Sequence, residues 1–256
     1  ALTLVQEGNG KGSFTTDTPQ RRFVIFDTGR EYPQPEAVGG VPNQNLHADH
    51  DIDYVIAVPT GGKLTAQAER LAELHRQRGL SVKVIPANLL YNEFSSGTPD
   101  VNALRRYLKM LYDRAATPDK APRYLLLMGK SPWDNRFVTE EWKNAAVDDY
   151  LLAYEYDAST QSIGTVSSFV TDDFYALLDD GEGKYIYSEK VDLSTGRMVC
   201  TTEEEAKILV DKVERYLKNE DAGPWKNRIV MMADDGDSNE HAEDAERVSK
   251  AIAQSG

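Results

Sequence analysis

Six polar side chains in one short stretch near the end of the sequence are of types that bind ligands. They are Asp234, Asp235, Asp237, Ser238, Asn239 and His241. Residues 229–233, which precede them, form an apolar run that predicts a strand buried on both faces of a parallel sheet. Ligands bind at the carboxyl edge of such sheets, so the six residues form the predicted substrate-binding site. His241 falls on the first turn of a helix predicted over residues 240–254, and we favour a surface or capping role for it over a general base.

A second acidic group lies in a turn with two glycines and consists of Asp179, Asp180 and Glu182. Carboxylate oxygens are the ligands that calcium prefers in proteins, so this turn is a candidate calcium site. A solvated acidic turn is an equally good interpretation. Acidic and amide residues at positions 235, 237, 239 and 246 imitate an EF-hand loop. Glu240 stands where that loop needs a glycine for its sharp turn, so we do not favour an EF-hand.

The composition excludes several classes of partner. The 256 residues carry a formal net charge of −13, which repels duplex nucleic acid and anionic membrane surfaces and favours a basic substrate. No apolar run is long enough to span a bilayer. The first residues contain no charged, apolar leader, so we expect a signal peptide to be absent or already removed. The single cysteine, Cys200, excludes an internal disulfide and a CxxC metal site, and we interpret it as a partly buried small hydrophobe.

Alternating strands and helices must position these residues. Strands are predicted over residues 54–58, 81–85 and 124–128, and helices over residues 64–78 and 98–115. Thr98, Pro99 and Asp100 predict the start of the second helix, with a capping hydroxyl, a proline at the first helical position and an acid near the positive end of the dipole. Two strand–helix–strand crossovers indicate a right-handed α/β fold with a mostly parallel sheet. Further strands are predicted within residues 150–156, 167–170 and 191–198, followed by a helix over residues 202–219.

Several segments together resemble a known family. They are residues 43–47, 92–100, 124–136, 171–183, 196–197 and 233–241. Their types and order are similar to those of the C25, or gingipain-like, cysteine peptidases, over most of residues 40–250. The resemblance implies a caspase-like α/β/α fold, a catalytic cysteine and histidine, and calcium near the acidic turn, where gingipains hold it. It further implies a sortase that processes secreted proteins in the bacterial type IX secretion system, at the extracellular face of the outer membrane, with other secretion components as partners.

The resemblance also divides the chain into three regions. Residues 1–50 are expected to be a linker and the β-rich tail of a preceding domain, with a strand over residues 22–27. Residues 51–222 would form a first α/β subdomain, in which the long polar connection over residues 130–150 is of a size that is often functional. Residues 223–256 would supply the opening strand and helix of a second, catalytic subdomain.

The sequence departs from the family in two places. The family's catalytic histidine lies in a Gly-His-Gly segment that this chain lacks, and Cys200 does not follow such a histidine. We therefore expect this segment to have no peptidase activity of its own. Family members also carry an acid after the third strand, where this chain has Lys130, which argues against a metal at that position.

Two other classes of protein remain as alternatives. A buried strand that ends in two aspartates also opens receiver domains, but here that strand comes last, so the order argues against a receiver. The second alternative is a non-catalytic α/β module that binds a basic peptide through its acidic carboxyl edge.

The family resemblance also bears on substrate specificity. In gingipains, the loop that corresponds to residues 233–241 of this chain contributes to the pocket for the residue before the cleaved bond. A pocket with Ser238 as its floor would accept small or polar side chains, which we favour, and one with Asp237 as its floor would accept lysine or arginine.

Overall fold

The computed structural model describes residues 5–7, 11–16, 22, 24, 27, 29–37, 39–41, 43–156, 169–186 and 188–255. The chain divides into two compact units, residues 1–43 and residues 44–256. In the first unit, strands β1 (Val5–Glu7) and β2 (Lys11–Ser13) pair in antiparallel orientation. The sequence-based expectation of a short β-rich segment before the α/β fold is thus confirmed. The strand predicted over residues 22–27 falls largely outside the described residues.

The described part of the second unit consists of six strands and five helices. The strands are β3 (Tyr54–Val58), β4 (Val82–Pro86), β5 (Tyr124–Met128), β6 (Tyr154–Tyr156), β7 (Phe169–Thr171) and β8 (Ser194–Met198). The helices are α1 (Thr65–Arg76), α2 (Ala87–Phe94), α3 (Val101–Arg114), α4 (Glu203–Lys218) and α5 (Gly236–Ser255). No helix among the described residues is both long and apolar enough to cross a membrane.

A parallel sheet forms the centre of this unit. Its strand order is β4-β3-β5-β8, and all three pairings are parallel. β6 and β7 pair separately as an antiparallel ribbon. Side chains alternate across the sheet, so that α2, α3 and the residues between β7 and β8 pack on one face, while α1 and α4 pack on the other. The caspase-like α/β/α class expected from the sequence is therefore confirmed.

Two helices show how local sequence sets their ends. α3 begins at Val101, and its cap is Asp100, whose carboxylate accepts a hydrogen bond from the Asn102 backbone N–H at 2.8 Å. The prediction that Thr98 caps this helix is wrong, because Asp100 directly precedes the helix and its carboxylate reaches the free N–H of the second helical residue. α4 begins with a capping box in which Thr202 and Glu205 each bind the other's backbone N–H.

Residues 229–233 do not form the buried strand that their apolar pattern predicts. They have no regular secondary structure, and Val230 and Met232 are 69% and 93% exposed. The topology gives a reason. The crossovers from β4 to β5 and from β5 to β8 move across the sheet in one direction over the α3 face, whereas α4 lies on the opposite face. A strand that followed α4 and paired with β8 would need a crossover of opposite hand, and about 98% of such crossovers share one hand.

Candidate functional site

The predicted substrate-binding residues lie on and before the first turn of α5. His241 lies between two carboxylates: its Nδ1 is 2.6 Å from Asp234 Oδ1, and its Nε2 is 3.6 Å from Asp237 Oδ2. Asp235, Ser238 and Asn239 are exposed beside them. The structure therefore brings three of the six residues into contact. The Asp234 contact is a hydrogen bond that orients the imidazole ring, whereas the Asp237 contact is too long for one.

Backbone conformation explains this approach. Asp237, Ser238 and Asn239 all have positive φ angles, of 48°, 60° and 72°. Aspartate and asparagine adopt this left-handed region more readily than most residues, because their short polar side chains bond locally. The helix predicted over residues 240–254 is thus present, and the three left-handed residues at its start fold the chain so that His241 faces back toward Asp234.

The acidic turn before β8 brings together a different set of carboxylates from the one predicted. Carboxylate oxygens of Asp179, Glu182 and Asp192 lie within 4.8 Å of one another. The Asp180 carboxylate is instead 2.9 Å from the Lys109 ammonium on α3. No sequence pattern points to Asp192, since it lies ten residues further along the chain and only the fold brings it to the turn.

Cations on α3 hold the acidic turn in place. The Arg105 guanidinium donates to the backbone carbonyl of Leu177 and, at 2.8 Å, to that of Glu182. The Tyr112 hydroxyl donates to Asp179 Oδ1 at 3.0 Å. The turn is therefore tied to one helix by its backbone carbonyls and by two of its carboxylates.

Two of the family-like segments meet at Glu93 on α2. Its carboxylate accepts hydrogen bonds from the Leu46 backbone N–H at 2.7 Å and from the Gln44 side chain at 2.8 Å, and it contacts His47 Nδ1 at 2.6 Å. The His47 ring also stacks on Phe94, with ring centroids 4.5 Å apart. Burial alone would raise the pKa of Glu93, but these hydrogen bonds outweigh it and lower the pKa to about 2. His47 is therefore part of a structural anchor.

Two further family-like segments meet at Arg197 on β8. Its guanidinium binds both carboxylate oxygens of Asp172, at 2.8 and 2.7 Å, and donates to the Gly129 carbonyl at 2.9 Å. The Arg197 side chain is 11% exposed. This bidentate pair ties the chain after β7 to the carboxyl ends of β5 and β8, because the planar fork of arginine matches a carboxylate.

Comparisons with known proteins agree with this fold. The model of peptidase family C25 matches residues 47–255. The chain belongs to peptidase family C25. Among solved structures, it is similar to dimeric latent PorU from Porphyromonas gingivalis, with 37% sequence identity and a TM-score of 0.66. This match covers 77% of this chain and 18% of the PorU chain, so the present chain spans under a fifth of PorU.

A second solved structure, of a protease, matches 66% of this chain and 29% of its own, at 15% identity and a TM-score of 0.42. A similarity this weak carries no argument about the chain. No curated protein matches it. The C25 match and the PorU similarity together identify a gingipain-like peptidase domain.

In a C25 peptidase the nucleophile is a cysteine, and Cys200 lacks the surroundings of one. Its side chain is buried, and its thiol contacts the Met198 carbonyl oxygen at 3.5 Å. Burial, and then the Glu205 carboxylate, raise the pKa of the Cys200 thiol to about 11. A nucleophilic cysteine needs the opposite shift, because the thiolate is the reactive form. The interpretation of Cys200 as a buried small hydrophobe agrees with this geometry.

The three clustered carboxylates can be tested for fit to calcium. Calcium takes six to eight oxygen ligands, and carboxylates are among its preferred donors. Asp179, Glu182 and Asp192 offer such oxygens at suitable mutual distances, although one oxygen of each carboxylate already accepts a hydrogen bond. Asp180 fits poorly, since Lys109 already neutralises it. If calcium binds at this turn, Asp192 would take the place that the sequence assigned to Asp180.

Proposed function

We propose that this chain is the front part of the catalytic region of a cysteine peptidase that acts as a sortase on secreted proteins at the bacterial cell surface. The observation that carries the proposal is the 37% identity to PorU over 77% of the chain. The proposed setting is the type IX secretion system at the extracellular face of the outer membrane. Its partners would be secreted proteins or peptides and other components of that system.

In such chemistry, a histidine takes the proton of a cysteine thiol, and the thiolate attacks the scissile carbonyl. The thioester forms as the peptide C–N bond breaks, and the leaving amine takes the proton from the histidine. An amine or water then attacks the thioester, which transfers the acyl group and frees the cysteine. We propose that this segment supplies scaffold and part of the substrate pocket, and that it does not cleave peptides by itself. The proposal is supported by the burial of Cys200 and by the raised pKa of its thiol.

The test compares the purified 256-residue chain with the longer reading frame that contains it. Each would be incubated with a peptide library and a free amine, and mass spectrometry would distinguish hydrolysed from amine-linked products. We expect both cleavage and amine transfer from the longer protein and neither from the 256-residue chain. Cleavage by the short chain that is lost in Cys200→Ala would contradict the proposal. Hydrolysis without transfer by the longer protein would contradict the sortase assignment alone.

The substrate pocket has its own test in the longer protein. Asp237 lies against His241 Nε2, whereas Ser238 is exposed beside it. We propose that Ser238 faces the residue before the cleaved bond and that small or polar residues are preferred there. Asp237→Asn and Ser238→Asp would be compared on paired substrates that differ only at that residue. Selective loss of cleavage after a basic residue in Asp237→Asn would show that Asp237 sets the preference instead.

A further inference from the structure

A pocket of about 150 Å³ opens at the carboxyl edge of the sheet, lined by residues with no role in the sites above. The connection after β3 leads to α1 on one face of the sheet, whereas the connection after the neighbouring strand β5 runs over the other face. Where neighbouring connections separate in this way, α/β proteins have a crevice that binds ligands. Thr60 follows β3, Asn88 and Tyr91 lie on α2, and Asp148 and Tyr150 come from the long connection after β5.

The rim of this pocket is fixed by a close approach between two chain segments. The Gly61 backbone N–H donates to the Asp148 carbonyl oxygen at 2.7 Å. A Cβ at position 61 would lie 2.9 Å from that oxygen, so only glycine allows the contact. The Lys63 ammonium pairs with the Asp149 carboxylate on the same rim. The pocket is therefore formed before any ligand binds, which lowers the entropic cost of binding.

Polar groups line the pocket. Asn88 Oδ1 is buried and has no hydrogen-bond donor among the described residues. Thr60, Tyr91 and Tyr150 are half-buried, and Asp148 is exposed. Burying an acceptor without a donor is unfavourable, and native proteins rarely leave such groups unpaired. The buried Asn88 acceptor, with the neighbouring hydroxyls and the Asp148 carboxylate, favours a ligand that donates hydrogen bonds.

The charge of the pocket indicates the sign of that ligand. Asp148 is the one charged side chain among the described residues that line it, and none of these is a lysine or arginine. Burial, and then the carboxylates of Asp100 and Asp148, raise the pKa of Tyr91 to about 12, so negative potential reaches the hydroxyl inside the pocket. Pro99, Val147 and Leu152 supply apolar walls. An apolar stem with a cationic, hydrogen-bond-donating end matches these features.

We propose that this pocket binds the ammonium end of an alkylamine, such as a lysine side chain of a peptide. The alkyl stem lies along Pro99 and Leu152, and the ammonium group donates to the Asp148 carboxylate and the Tyr91 hydroxyl. The pocket volume suits one side chain. This site lies on other elements than Asp237 and Ser238, and the inference does not rest on the peptidase function proposed above.

The probe for this site is N-acetyl-lysine N-methylamide, titrated into the isotope-labelled 256-residue chain at neutral pH and followed by amide chemical shifts. The norleucine analogue, which has no ammonium group, and the Nε-acetylated analogue serve as matched ligands. We expect saturable shifts on α2 and around Asp148 with the lysine probe, and affinity at least about tenfold weaker for both analogues.

Two variants locate the interaction. Asp148→Asn and Tyr91→Phe should each weaken binding of the lysine probe about fivefold, since each removes one acceptor and barely changes the pocket volume. Glu141→Gln is the control, because it makes the same change in charge at an exposed position of the same connection. Thermal unfolding would show that all three variants fold.

The outcomes separate cleanly. Equal affinity for the lysine and norleucine probes would overturn the inference, as would shifts centred on α5 or no shifts at tens of millimolar probe. A preference for lysine that survives unchanged in Asp148→Asn would also overturn it. Loss of that preference in Asp148→Asn, with Glu141→Gln unaffected, would support it. Free lysine amide and a lysine-containing peptide, compared directly, would then distinguish a small amine from a peptide as the natural ligand.

Discussion

Glu93→Gln should destabilise the second unit in a way that depends on pH. The Glu93 side chain is 14% exposed, and its pKa is lowered from 4.5 to about 2 by the hydrogen bonds that overcome its burial. At ~1.4 kcal/mol per pKa unit, this difference corresponds to about 3 kcal/mol of the free energy of unfolding. A carboxyl whose folded-state pKa is lowered stabilises the protein above its unfolded-state pKa, and this stability is lost as the pH falls through the folded-state pKa.

The glutamine variant keeps the shape of the side chain and removes its charge. We therefore expect the loss of stability relative to the unaltered chain to be about 3 kcal/mol at pH 7, about 1.4 kcal/mol at pH 3 and about 0.4 kcal/mol at pH 2, and to approach zero at lower pH. Urea unfolding at each pH, followed by far-ultraviolet circular dichroism, gives the free energies. The anchor joins residues 44–47 to α2, so hydrogen exchange of the Leu46 and His47 amides should accelerate more than that of β3 or β5.

Glu141→Gln is the control, since Glu141 is exposed and the same charge is removed. Its free energy of unfolding should change by less than about 0.5 kcal/mol at every pH. The reasoning fails if Glu93→Gln costs the same at pH 7 and pH 3. A constant cost would mean that shape or packing matters at this position and that the ionised carboxylate does not.

Three further predictions concern the buried Asp134, the Cys200 thiol and the acidic turn. Asp134 is buried and accepts hydrogen bonds from three backbone N–H groups, so Asp134→Ala should cost about 2–4 kcal/mol of unfolding free energy and speed proteolysis within residues 130–150. In the folded chain the pKa of the Cys200 thiol is raised from 9.0 to about 11. At pH 8 this thiol should therefore react with a disulfide reagent about 100-fold more slowly in the folded chain than in the unfolded chain. If calcium binds the acidic turn, millimolar calcium should raise the melting temperature, and Asp179→Asn should remove that rise while Asp180→Asn should not. No shift with calcium would leave a solvated turn.

The pattern of apolar residues predicted the elements that pack against other elements close to them in the sequence. β3, β4, β5 and α4 lie within a residue or two of their predicted ranges, because buried strands read as apolar runs and amphipathic helices show a repeat of about 3.6 residues. Residues 229–233 have an equally strong strand pattern and form no strand. An apolar run indicates that a segment is suited to burial, but it does not indicate which element covers it. Here the preferred hand of crossovers argues against pairing of residues 229–233 with the free edge of β8.

The candidate sites were predictable where the contacts are local in sequence. His241 and Asp234 are seven residues apart, and the structure brings them together. Asp192 and Lys109 were missed at the acidic turn because the fold, and not the spacing, places them there. The pocket around Tyr91 was missed for the same reason, since its lining comes from α2 and from the separate connections after β3 and β5.

Several residues in the segments that resemble the C25 family have structural roles in this chain. Glu93 joins two family-like segments through backbone N–H groups, and Arg197 joins two more through a carboxylate and a backbone carbonyl. Such contacts fix the path of the chain, and they would be needed whether or not the domain hydrolyses peptides. Similarity in these segments is therefore strong evidence for the scaffold and weak evidence for the chemistry, because activity depends on a cysteine and a histidine within reach of each other. Cys200 and His241 each have other contacts, so the peptidase assignment must be tested on the longer protein and the amine pocket on this chain.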